Sequence, residues 1–166
     1  MTIADVRTGL GWDSHRLTDN QPDRPLVLGG VTIDSPLALD GHSDADVLTH
    51  AVIDALLGAA GLGDIGEHFP DTDERWKGAD SIALLDHVVG LVGDAGWTVT
   101  SVDATVVLER PKLSPHKAAM AERLAATLTV DVDRVNVKAT TAERMDAVGR
   151  GEGAVAQAVA TIVRYA

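Results

Sequence analysis

The sequence predicts an α/β or α+β domain, one sheet with helices on one of its sides. Strand-like runs rich in β-branched residues alternate with runs whose apolar residues recur at helical spacing, and cap and turn signals fall between them. Val6 to Trp12 reads as the first strand. Leu26-Val27-Leu28 and Val31-Thr32-Ile33 flank Gly29-Gly30, the signature of a hairpin. A helix is expected from about Asp44 to Ala60, opened by Ser43 with Asp46 three residues later in a capping-box-like start and closed near Gly61. The next helix follows Asp80, carries Ile82, Leu85, Val88, Val89 and Val92 on one face, and ends before Gly96. Thr98 to Leu108 favours the extended state. Ser114 and Pro115 form an N-cap and first-turn pair for a helix running to about Leu128, and Val135 to Thr141 is a further strand. Between 154 and 160 alanine, the best helix former, alternates with Val155, Gln157 and Val159. That period of two predicts a strand whose alanine face lets a helix pack close.

The 166 residues contain no repeat of solenoid period, and the longest irregular stretch, Thr18 to Pro25, is too short to separate domains, so one domain over 1–166 is expected. Hydrophobic residues at 45% and charged residues at 23% are globular values, and no apolar run approaches the ~18 residues of a membrane span. Met1 to Arg7 lacks the pattern of an export signal, which makes the cytoplasm the expected location. With 14 basic and 25 acidic residues the net charge is −11, the basic residues are scattered, and aromatics are only 3%. Nucleic acid is therefore not an expected partner. The absence of cysteine removes disulfides, thiolate nucleophiles and Cys-type zinc sites, leaving His and carboxylate as the strong metal ligands.

Three groups stand out as chemistry. Asp13 and His15, two apart at the end of the first strand, lie on one face of an extended chain and either converge on an ion or form a hydrogen-bonded surface pair. His50 shares a helical face with Asp46 and Asp54, either of which would orient it, or the three make a surface ion-pair cluster. Together Asp13, His15 and His50 amount to two imidazoles and a carboxylate with a fourth position open, the ligand set of a catalytic zinc. The third group is Thr140-Thr141-Ala142-Glu143, after a late strand. Gly41-His42-Ser43-Asp44-Ala45 approaches the nucleophile elbow of serine hydrolases, but its last residue is not Gly, a poor strand precedes it, and helix capping accounts for Ser43. Gly9-x-Gly11 lacks the rest of a dinucleotide fingerprint, and no phosphate-binding P-loop occurs. Gly149-Arg150-Gly151-Glu152-Gly153 is either an anion-approaching loop or a turn into the last strand.

These segments together resemble the 2-C-methyl-D-erythritol 2,4-cyclodiphosphate synthase family over nearly the whole chain. The resemblance is carried by Gly9 to Leu17, Gly41 to Val47, Asp54 to Ala60, Gly63 to Gly66, Phe69 to Asp73, Lys77 to Ser81, Arg110 to Leu113, Lys138 to Thr141 and Gly149 to Gly153, in the family's order. It implies an α+β, ferredoxin-like sandwich with one mixed sheet, helices on one face, and sheets packed around the threefold axis of a homotrimer. That axis offers a place for the small-residue alternation at the C-terminus.

By the same resemblance Asp13, His15 and His50 bind zinc, and Glu143 binds magnesium, or manganese, beside the substrate diphosphate. His42 and Ser43 contact the methylerythritol phosphate, with Asp64, Gly66, Phe69, Asp71 and Asp73 shaping that pocket. Pro111, Lys112, Leu113, Ala139, Thr140 and Thr141 hold the cytidine and its phosphates, Thr141 with a catalytic part. Arg150 lies near the phosphates or the axis. The implied reaction closes 4-diphosphocytidyl-2-C-methyl-D-erythritol 2-phosphate on itself and expels CMP, at sites shared between subunits. The rival readings are a hydrolase using Ser43 and a metal-dependent binding trimer without turnover. The sequence departs from the family at Ala45, where Gly is common and a helix is expected to tolerate Ala, at Ala142, where a third Thr is frequent, and at Met145-Asp146-Ala147-Val148, which lacks an aromatic associated with an axial cavity.

Overall fold

In a computed structural model, which describes residues 2–166, the chain forms seven strands and five α-helices. In chain order these are β1 (Ile3–Thr18), β2 (Leu26–Leu28), β3 (Val31–Ile33), β4 (Ala38–Leu39), α1 (Val47–Ala60), α2 (Ile65–His68), α3 (Ser81–Asp94), β5 (Thr98–Val107), α4 (Lys117–Leu128), β6 (Val135–Thr140), α5 (Asp146–Gly149) and β7 (Gly153–Tyr165). Five strands make one mixed sheet in the order β4-β1-β7-β5-β6, antiparallel except for β5 and β6, which run parallel with α4 as their crossover. The expected α+β fold with one mixed sheet is what the chain adopts. Among the described residues no helix is long and apolar enough to cross a membrane.

What brings the later site together is a seat of small residues. Gly9, Gly11, Asp13 and His15 share one face of β1 and lie opposite Ala160, Ala158, Ala156 and Ala154 of β7. A side chain at Gly11 would place its Cβ 1.8 Å from the Ala51 carbonyl oxygen, and one at Gly9 2.0 Å from that of Ala55. Helix α1 therefore rests on β-strand backbone. The alanines of β7, for which a threefold axis offered a place, are buried on the α1 side of the sheet instead. On the opposite face Leu10, at 69% exposure, pairs with Val159, and Trp12 is 54% exposed.

Several element starts differ from expectation for identifiable reasons. Ser43 does not cap α1. Asp46 does, and α1 begins at Val47. The buried Asp46 carboxylate accepts from Thr49 N (3.0 Å), Thr49 Oγ1 (2.7 Å), Gly29 N (2.9 Å) and Gly30 N (2.7 Å), so it serves the hairpin turn as well as the helix. Burial raises its pKa against those hydrogen bonds. Gly29 and Gly30, at φ 58° and 70°, supply the two left-handed positions of that turn. Ser114 does not cap α4 either: Ser114–His116 is a separate 3-10 turn with no side-chain cap, and α4 follows it. β1 extends well beyond Val6 to Trp12 because β7 pairs with it along nearly its full length. Ala38–Leu39, in the segment read as a poor strand, adds two residues at the edge of β1. Ala45 is not helical but left-handed, at φ 58°, which explains physically why Gly suits that position.

Candidate metal centre and cavity

Seating α1 on Gly9 and Gly11 carries His50, one turn from its start, over the end of the same strand face, where Asp13 and His15 project. Asp13 Oδ2 lies 3.0 Å from His15 Nε2 and 3.0 Å from His50 Nδ1, and the two imidazole nitrogens are 3.3 Å apart. Among the described residues this is the one group of three His or acidic side chains whose donor atoms converge as metal ligands do. A tetrahedral ion with ligand bonds of about 2.0 Å requires donor–donor edges of about 3.3 Å, so the triangle is the right size for one. His50 is buried and forms no surface cluster with Asp46 and Asp54, while Asp13 and His15 are a part-buried pair within hydrogen-bond distance that also converges with His50.

Each imidazole is held from behind. His15 Nδ1 donates to the Asp40 carbonyl at 2.8 Å, which leaves Nε2 facing the cluster. His50 Nε2 lies 2.8 Å from Ser81 Oγ and 3.2 Å from Ser43 Oγ. Neither Asp46 nor Asp54 orients His50, contrary to the helical-face reading, because Asp46 is taken up by capping and Asp54 accepts from Ile65 N at 2.7 Å. Burial raises the Asp54 pKa. At Asp13 burial works to raise the pKa, but hydrogen bonds and charge from His15 and His50 outweigh it and hold the carboxyl at about 2. At His15 burial opposes the charged form, yet the Asp13 contact raises the pKa above its ordinary value.

The triad opens onto a cavity of about 470 Å³. Of the residues singled out in the sequence, His42, Ser43, Gly66, Phe69 and Asp71 line it beside Asp13, His15 and His50. Asp64 and Asp73 do not line it. Asp64 caps α2 through Glu67 N at 3.0 Å, and Asp73 is tied to Arg75 at 2.6 Å, which lowers its pKa. His42 Nε2 and Trp76 Nε1 are buried without a hydrogen-bond partner among the described residues, at a cost that a polar ligand would relieve. Trp76 and Ser81 went unnoticed as site residues. Ser81 stood inside the Lys77–Ser81 motif, but its role depends on α3 meeting α1, a contact without sequence periodicity.

Pro111, Lys112, Leu113, Ala139, Thr140, Thr141, Glu143 and Arg150 lie apart from this cavity, around the C-terminal ends of β5 and β6. Leu108 N donates to Thr140 O at 3.0 Å and Ala142 N to Glu109 Oε1 at 2.9 Å, which sets the two segments side by side. Thr141 Oγ1 donates to Glu143 Oε1 at 3.3 Å, and Arg150 pairs with Glu152 at 2.6 Å in the turn that enters β7. Arg150 to Glu152 is thus a turn into the last strand, as one of its two readings held.

Residues 6–163 match the model of the YgbB family. The chain is 56% identical over 158 residues to a 2-C-methyl-D-erythritol 2,4-cyclodiphosphate synthase of Synechococcus elongatus, covering 95% of this chain and 97% of that one. A solved structure of a 2C-methyl-D-erythritol-2,4-cyclodiphosphate synthase in a CDP-bound form superposes with a TM-score of 0.83 at 40% identity, covering 93% of this chain and 98% of the other. The bifunctional IspDF of Campylobacter jejuni superposes with a TM-score of 0.91 at 43% identity over 97% of this chain, which spans 43% of that longer protein. Fold and sequence thus agree, and the chain belongs to the YgbB family of 2-C-methyl-D-erythritol 2,4-cyclodiphosphate synthases.

Proposed function

We propose that this chain, acting over residues 1–166 as one synthase domain, converts 4-diphosphocytidyl-2-C-methyl-D-erythritol 2-phosphate to 2-C-methyl-D-erythritol 2,4-cyclodiphosphate and CMP, a step of non-mevalonate isoprenoid synthesis. The observation that carries the reading is the convergence of Asp13, His15 and His50 on one wall of a cavity, in a chain that matches the synthase family over nearly its full length. In the reaction a 2-phosphate oxygen attacks the β-phosphorus, the bond from that phosphorus to the oxygen of the CMP phosphate breaks, and CMP leaves with the electron pair. The nucleophile already carries its charge. No general base is required, and the chain's task is to position two phosphates and stabilise shifting charge.

Two imidazoles and a carboxylate suit zinc. Zinc bound there supplies a Lewis acid for the β-phosphate, and magnesium or manganese at Glu143 supplies neutralising charge for the diphosphate. His42 and Ser43 hold the methylerythritol phosphate, a role supported by the unpartnered His42 Nε2. Gly66, Phe69 and Asp71 form the wall facing it, while Asp64 and Asp73 brace the chain on either side of that wall. Pro111, Lys112, Leu113, Ala139, Thr140 and Thr141 take the cytidine and its phosphates, Thr141 ordering the Glu143 carboxylate. Lys112 and Arg150, with the metal ions, offset the repulsion of a polyanion by a chain of net charge −11. Ser43 is a binding residue rather than a nucleophile.

The cavity and the Pro111–Arg150 cluster come together between subunits of a homotrimer. This is supported by the apolar sheet face at Leu10, Trp12 and Val159, exposed on one chain and of the kind that self-association covers. Light scattering should give the mass of three chains, and a fully active monomer would overturn the shared site. Water-soluble, highly charged substrate and products fit the cytoplasm as the working compartment. The direct test incubates zinc-loaded protein with substrate and magnesium and follows phosphorus NMR. The cyclic diphosphate and CMP should both appear, and both should be lost on chelation. Substrate that binds but is never turned over would overturn the enzyme reading.

A further inference from the structure

We propose that Asp44 and Ser81 are positioning residues that fix the tautomer of His50, making Nε2 the hydrogen-bond donor and leaving Nδ1 as the lone pair offered to the metal. The inference rests on the metal reading of the Asp13, His15 and His50 cluster. Ser81 is the first residue of α3 and is 0% exposed. Its hydroxyl touches two groups, His50 Nε2 at 2.8 Å and Asp44 Oδ1. Its backbone N–H donates to Asp44 Oδ2 at 2.9 Å, and Asp46 N donates to Asp44 Oδ1 at 3.1 Å. The Asp44 carboxylate is thus surrounded by donors from α3 and from the start of α1.

A serine hydroxyl has one hydrogen, and an ionised carboxylate only accepts. Between Ser81 Oγ and Asp44 Oδ1 that hydrogen has to lie, since two oxygens in contact without one repel. Ser81 then has only lone pairs left for the imidazole, so Nε2 carries the ring hydrogen. In the neutral imidazole that binds a metal, the other nitrogen is bare. That nitrogen, Nδ1, faces Asp13 Oδ2 at 3.0 Å and His15 Nε2 at 3.3 Å, the side on which the donors converge. The negative charge of Asp44 reaches His50 through a neutral hydroxyl, which strengthens the ligand without adding a second carboxylate to the buried wall.

The same assignment governs Ser43. Its hydroxyl lies 3.2 Å from Nε2, close enough to look like a serine–histidine nucleophile pair. A nitrogen that already donates to Ser81 has no lone pair with which to take a proton. His50 therefore cannot activate Ser43, and the two hydroxyls near Nε2 differ in role: Ser81, buried behind the ring, orients a ligand, and Ser43, on the cavity wall, remains free to meet substrate.

Two measurements test this on the whole 166-residue chain. Two-bond proton–nitrogen correlation of zinc-loaded, 15N-labelled protein should show His50 protonated at Nε2. Zinc competition against a chromophoric chelator should show Ser81→Ala and Asp44→Asn binding about 10- to 100-fold more weakly than the parent, with circular dichroism confirming that each variant is folded. Cobalt(II) substituted for zinc should give an altered visible spectrum in Ser81→Ala. Protonation at Nδ1 in the parent, or a folded Ser81→Ala with parental zinc affinity and cobalt spectrum, would overturn the relay while leaving the metal reading intact. A parent protein that takes up neither zinc nor cobalt would overturn both.

Discussion

The wall that carries Asp13, His15 and His50 and the turn that carries Thr141, Glu143 and Arg150 are built in opposite ways. In the first, side chains from β1 and α1 are fixed by backbone contact at Gly9 and Gly11 and by partners behind each ring, Asp40 behind His15 and Ser81 behind His50. In the second, Thr141, Glu143 and Arg150 are exposed and bonded mainly to near neighbours in sequence. Glu143, Arg144 and Asp146 occupy left-handed backbone positions at φ 51°, 62° and 56°. A transition metal needs donors set in advance to within a fraction of an ångström. A diphosphate with a hard divalent cation tolerates side chains that settle on binding. If both regions serve the proposed reaction, the difference teaches that its two halves answer to different tolerances.

The contrast breaks most completely at the small-residue seat. Gly11→Val should push α1 off the sheet and cost roughly 3 kcal/mol or more, seen as a large fall in melting temperature with loss of zinc. A variant melting like the parent would show that α1 does not depend on that contact. His50→Ala should leave a folded protein that neither retains zinc nor releases CMP. Retained zinc with normal turnover would remove His50 from the site. At the looser half, Glu143→Gln should keep its zinc and need about tenfold more magnesium for half-maximal activity, the loss of one charged contact of about 1.4 kcal/mol. An unchanged magnesium profile would reassign that residue.

Acidity offers a finer probe of the preset wall. Asp13 titrates at about 2 in the fold against an ordinary 3.8, so its stabilisation of the metal-free protein is present above 3.8 and is lost as pH falls from there toward 2. The His15 pKa is raised above 6.5, so its contribution is complete below 6.5 and disappears as pH rises past the folded value. Thermal melts of metal-free protein should therefore show added stability between about pH 4 and 6.5, and Asp13→Asn should flatten it. The smallest effect belongs to Ala45. Relief of a left-handed alanine, about 1–2 kcal/mol, is opposed by the lost burial of a methyl, about 0.8 kcal/mol, and by the greater freedom of unfolded glycine, up to about 1 kcal/mol. Ala45→Gly should melt close to the parent. A large gain would mean that the site stores strain there.

Legibility in the sequence followed the range of the interaction. The period-two alternation at 154–160 announced β7, and Gly29-Gly30 announced its hairpin, because both patterns are local. Asp13 and His15 were readable as a pair because the spacing of a strand alone aligns them. Capping was misread at Ser43 and at Ser114, where local chemistry supports a cap that packing assigns elsewhere. Asp46 wins at α1 because its carboxylate also satisfies the Gly29 and Gly30 amides from a distant turn. Ser81 was invisible as a ligand support for the same reason: 31 positions separate it from His50, and only the packing of α3 against α1 closes that gap.

The Asp46 carboxylate has one more consequence. Gly29 and Gly30 lie in the turn of an otherwise separate two-stranded sheet, where amides would exchange with solvent quickly. Here they are bonded to the residue that opens the helix bearing His50. Their exchange into deuterated water therefore reports on the opening of that helix end, and two glycine resonances outside the cavity serve as a clock for how often the pocket comes apart.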